Sequence, residues 1–182
     1  MKSDVILIDN AGKGFENAVA ETRKAAEYRN LSGKDVLHLE LMTEEMLSLA
    51  RSVTGEMQAS FWLETEGKQF DLHLTTKTVM DREKRALLIS SATSRKNEAA
   101  KTFLGYLRNA FEEAMAADVD HSDNEIPMDV LDDLPNHPIE NLEWDGYERS
   151  VLRKVADTVK IAIRGGVVDM TVSKVFAESS HE

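Results

Sequence analysis

The order of elements predicts an α/β sandwich. Residues Asn10 to Thr76 read as a helix, a short break, a second helix carrying paired carboxylates, and then a tight hairpin. Alternation on both sides of Glu66-Gly67, and again around Gly165-Gly166, supplies two hairpins for one sheet. The 182 residues suffice for a single domain over 1–182 with a full core.

Taken in order, Val5-Ile6-Leu7-Ile8 is a β-rich run closed by Asp9-Asn10-Ala11-Gly12, so a first strand and a turn are expected. Phe15 to Tyr28 predicts a helix with Phe15, Val19 and Ala26 inward. Leu31-Ser32-Gly33 breaks it. Ser32 or Asp35 caps the next helix, which runs to about Thr54 and stops at Gly55. Its inner stripe is Leu39, Met42, Met46, Leu49 and Val53, with Glu44 and Glu45 near the middle.

Ala59, Phe61 and Leu63 alternate with Ser60, Trp62 and Glu64; Phe70, Leu72 and Leu74 alternate with Asp71, His73 and Thr75. Trp62 therefore points to the face opposite Phe61, where a second layer or a partner covers it. Asp81 to Ser90 predicts a short helix. The polar run Ser90 to Asn97 follows, and then an amphipathic helix through Ala100, Phe103, Leu104, Leu107, Phe111, Ala114 and Met115. Residues 118–146 form an acidic, proline-containing insertion. It has ten acidic residues, no Lys or Arg, and all three prolines. A helix near Tyr147 to Val155 leads into the final hairpin, where Val159, Ile161 and Ile163 face Val168, Met170 and Val172.

A net charge of −11 repels phosphate, so no nucleic-acid partner is expected. Without cysteine there is neither a disulfide nor a thiolate metal site, which suits the cytoplasm. The run Val5 to Ile8 is too short for a signal peptide or a membrane span. Neither the five histidines nor Asp118 to Glu125 has metal-binding spacing, and His73 reads as a surface strand residue. Ser94, Arg95 and Lys96, ahead of a helix, are candidates for binding an anion.

The whole order resembles the histidine-kinase-type (GHKL) ATPase fold, closest to the serine kinases that act as anti-sigma factors. Two stretches carry the resemblance: Leu39-Glu-Leu-Met-Thr-Glu-Glu45-Met-Leu-Ser-Leu49-Ala50, which fits the frame L-x-L-x-x-x-E-x-x-x-N-A, and the strands Val159 to Phe176. The resemblance implies a mixed, mainly antiparallel sheet with helices on one face. It implies Glu45 as the catalytic carboxylate, with Glu44 in the alternative register. It also implies ATP and Mg²⁺ as cofactors, with Ser94, Arg95, Lys96 and Gly105 near the phosphates. The boxes depart from the family. Leu49 stands where the magnesium-holding asparagine belongs, Leu74 to Asp81 lacks the adenine-binding D-x-G, and the glycine-rich lid is reduced to Gly105. The expectation is therefore a regulator that binds another protein, of the sigma-factor or antagonist type. The alternatives are an active ATP-dependent serine/threonine kinase, and a homodimer formed through the sheet edge or the Trp62 face.

Overall fold

The computed structural model describes residues 1–9, 11–54, 58–100 and 151–177. In order they form β1 (Ile6–Asp9), α1 (Phe15–Tyr28), α2 (Gly33–Thr54), β2 (Gln58–Glu66), β3 (Gln69–Lys77), α3 (Arg82–Ser91), a 3-10 turn (Glu98–Ala100), α4 (Val151–Val155), β4 (Thr158–Arg164) and β5 (Val167–Val175). The strands make one sheet in the order β1-β2-β3-β5-β4, and every pairing is antiparallel. The insertion at 118–146, Gly105, Trp144 and most of the helix expected from Ala100 lie outside the described residues. No helix among the described residues is long and apolar enough to cross a membrane.

Alternation sorts each strand into two faces. On one face Phe61, Leu74, Met170 and Ile161 line up across β2, β3, β5 and β4; Leu63, Leu72, Val172 and Val159 form the next row. All eight are buried in one core with Leu39, Met42, Met46, Leu88 and Leu152 from the helices. Each large side chain so buried contributes about 1.5–3 kcal/mol. The result is a two-layer α+β sandwich.

Helix α2 packs on the sheet beside α1 and against it, so it buries more than one stripe. Leu39, Met42 and Met46 are buried, and so are Glu40, Thr43, Leu47 and Ala50. Leu49 is half-buried against the core. α1 meets α2 through Ala18, Thr22, Ala25 and Ala26, whose small side chains let the helices approach. Thr22 and Thr43 hydroxyls lie 3.2 Å apart, and each reaches the carbonyl four residues back, Ala18 at 2.8 Å and Leu39 at 2.9 Å. Arg23 grips Glu40 with two bonds of 2.5 and 3.0 Å. Ser32 Oγ accepts from the Asp35 N–H at 3.2 Å and donates to its carboxylate at 2.7 Å, which caps α2.

Two turns fix how the hairpins sit. Gly165 and Gly166 have φ of 52° and 80°, the two-positive pattern that matches hairpin twist. A Cβ on Gly166 would lie 2.7 Å from the Thr78 carbonyl oxygen, so the turn packs directly on the end of β3. At the other tip, Lys68 Nζ donates to the Arg29 and Asn30 carbonyls at 2.7 and 2.9 Å. That cation satisfies acceptors left at the end of α1.

Candidate functional site

The second face of the sheet carries the polar half of each strand. Its central row is Trp62, His73, Thr171 and Lys160, contributed by β2, β3, β5 and β4. The Trp62 and His73 rings stack with centroids 5.0 Å apart and planes 7° from parallel. Lys2 Nζ stands 5.3 Å from the centre of the Trp62 ring and pairs with Glu64 at 2.9 Å. Trp62 Nε1 donates to the same carboxylate at 3.2 Å. These two donors, Lys2 first, hold Glu64 below the usual carboxylate range.

His73 is the most constrained member of the row. Its Nδ1 lies 3.2 Å from Thr171 Oγ1, while Nε2 is shielded from solvent with no hydrogen-bond partner among the described residues. Burial pushes its pKa below the ordinary imidazole value. Glu64 and Asp71 oppose that shift, and Lys2 adds to it. The imidazole is thus held neutral as part of a flat aromatic platform. In the next row, Thr75 donates to Asp169 at 2.8 Å.

Glu44 and Glu45 sit midway along α2, Glu44 exposed and Glu45 half-buried. One turn beyond Glu45 comes Leu49, whose hydrocarbon packs on the core. In the other register Glu44 meets Ser48, which is exposed. Magnesium demands oxygen ligands in near-octahedral array, so this donor set does not fit it. The expected adenine stretch is committed to the fold. Thr76 is buried with its hydroxyl donating to the Gln58 carbonyl at 3.1 Å, and Asp81 caps α3 by accepting from the Lys84 N–H at 2.8 Å.

Ser94, Arg95 and Lys96 lie in a turn against the outer edge of β4. At one end Thr93 N–H donates to the Val159 carbonyl at 2.8 Å, and Thr93 Oγ1 accepts from Val159 N–H at 2.7 Å. At the other, the Asn97 amide donates to the Ile163 carbonyl at 3.1 Å and accepts from its N–H at 2.8 Å. The turn thereby covers an edge that would otherwise invite strand pairing. Ser94 Oγ donates toward Glu98 at 3.1 Å. The N–H groups of Arg95 and Lys96 donate to Ala92 O and Ser94 Oγ, so the backbone is not arranged as a phosphate cradle. Among the described residues no hydrogen bond or ion pair joins this turn to Glu44 or Glu45. The candidate Gly105 lies outside those residues.

The Trp62–His73 pairing follows from a two-residue turn at Gly67-Lys68, one residue beyond the Glu66-Gly67 turn that alternation suggests. The parts played by Lys2, Thr93, Asn97 and Thr171 carried no local signal. No family model matches the chain, and no curated protein or solved structure matches it either.

Proposed function

We propose that this chain is a regulatory protein that binds another protein and does not turn over ATP, a member of the lineage that resembles the anti-sigma serine kinases. The observation that carries the reading is on α2. Glu45 is followed one turn later by Leu49, a half-buried hydrocarbon side chain packed against the core. A phosphoryl-transfer helix needs a second oxygen ligand there to hold magnesium beside the carboxylate. Thr76 and Asp81 support the same reading, since both serve the fold. Recognition then falls to the second sheet face, where Trp62 and His73 supply the rigid aromatic surface typical of interface anchors. A chain without cysteine suits a reducing compartment, so the proposed place of action is the cytoplasm.

Calorimetric titration of the full chain with ATP and ADP, each with Mg²⁺, tests the reading. We expect no saturable heat up to about 1 mM nucleotide. A dissociation constant below about 10 μM would overturn it in favour of an active kinase of the same fold.

A further inference from the structure

We propose that the β4 margin of the second sheet face is the docking site for an acidic segment of a partner protein, an inference that rests on the protein-binding reading above. Lys160 and Arg164 project from β4 on the second face, and both are exposed. Four residues of strand separate them by about 13 Å. Just outside β4, the turn tied to Val159 and Ile163 displays Arg95 and Lys96, also exposed. Lys77 shares a row with Arg164 through Val167, which extends the cations onto β3.

What sets this margin apart is the grouping of its cations, since Lys13, Lys34, Arg51, Arg82 and Lys154 also form no ion pair among the described residues but are scattered along the chain. Lys2, Arg23, Lys84 and Lys174 are each paired with a carboxylate. None of the side chains of Lys77, Arg95, Lys96, Lys160 and Arg164 forms an ion pair among the described residues. Asp169 lies in the row between Lys160 and Arg164, where it accepts from Thr75, and Glu98 accepts from Ser94. Four exposed cations at the β4 margin, with Lys77 two strands in, make a local positive patch among the described residues of a chain with net charge −11, and such a patch attracts a counter-charge.

The chemistry selects a short acidic peptide over nucleic acid. A few carboxylates engage these cations at contact, within a Debye length of about 8 Å. A long polyphosphate also meets the repulsion of the whole negative chain. A single phosphate finds no backbone cradle, because the N–H groups of Thr93, Arg95 and Lys96 already have acceptors.

The test is fluorescence anisotropy of a fluorescein-labelled hexaglutamate peptide titrated with the full chain. We expect saturable binding that weakens by about tenfold or more in Lys160→Glu/Arg164→Glu and in Arg95→Glu/Lys96→Glu. The same loss is expected between about 50 and about 200 mM NaCl. Lys160→Arg/Arg164→Lys, which keeps the charge, retains binding. Circular dichroism checks that each variant keeps the parent fold. Absence of binding, unchanged affinity in both charge-reversed variants, or tighter binding of a single-stranded oligonucleotide than of hexaglutamate would each overturn the proposal. Mg-ATP titration of the same samples separates the two readings. Nucleotide binding with peptide binding intact sinks only the non-catalytic reading; loss of the peptide result without nucleotide binding sinks only the docking site.

Discussion

Replacing Asn97 with alanine should loosen the β4 edge measurably. Asn97 is 8% exposed, and its amide makes both backbone bonds of Ile163, at 3.1 and 2.8 Å. Truncation strips a partner from one N–H and one carbonyl. Each such loss costs about 1–3 kcal/mol when the orphaned group stays dry. Ile163 stands at a sheet edge, so water admitted by the smaller side chain offsets part of the loss. The expected total is about 2–3 kcal/mol. With a urea m-value near 2 kcal/mol/M, the unfolding midpoint falls by about 1–1.5 M. Thr93→Ala is the internal comparison. It removes one acceptor, 2.7 Å from Val159 N–H, at an exposed position where water can substitute, so it costs about 0.5–1 kcal/mol. Asn97→Asp sharpens the test. The carboxylate still accepts from Ile163 N–H but sets a second acceptor against the Ile163 carbonyl. Protonation restores a donor, so this variant should regain ground on the parent as pH falls toward about 4. An Asn97→Ala midpoint within about 0.2 M of the parent would refute the idea that this side chain holds the edge.

Two further outcomes follow from the geometry. Gly14 has φ of 92°, and a Cβ there would lie 2.2 Å from the Leu7 carbonyl oxygen, whereas Gly12, with φ of 81°, has open space around it. Gly14→Ala should therefore lower the calorimetric Tm by about 6–10 °C and Gly12→Ala by about 2–4 °C; equal shifts would show that backbone strain alone is at work. His73 is held neutral by burial, so its native pKa lies below its ordinary value of 6.5. Between those two values the unfolded chain binds the proton and the folded chain does not. The stability that His73 contributes is present above pH 6.5 and is lost as pH falls from there toward the native value. Urea midpoints measured across that window should slope downward with acid in the parent and lose that component in His73→Phe; identical slopes would contradict the assignment.

Much of the fold was legible because it rests on local periodicity. Helix α1 occupies Phe15 to Tyr28 as its pattern predicts, and both hairpins turn at the expected glycines. The inner side of α1 was less legible. The stripe through Ala18, Thr22 and Ala25 carries the contact, while Val19 is only half-buried, because close helix–helix approach rewards small side chains over large ones. Burial of Glu40, Thr43 and Leu47 likewise depends on α1 lying across α2, which no pattern within α2 announces. Nor did strand alternation reveal that His73 would be shielded, since its cover comes from Trp62 across the hairpin. Asn97 and Thr93 act on residues 66 positions away. Their identity as amide and hydroxyl suggests loop or cap, and only the folded chain brings β4 alongside them.

Strand β5 reaches β3 across a large gap in sequence; Thr171 and His73 are 98 residues apart. Two self-contained hairpins are thus zipped together by one distant seam. The entropy of closing such a loop grows only with the logarithm of its length, so doubling the intervening chain costs about 0.6 kcal/mol. A longer or shorter chain between α3 and α4 would by this reckoning change stability little. The rate of assembly is the more sensitive quantity, because folding slows as contacts join residues farther apart in sequence.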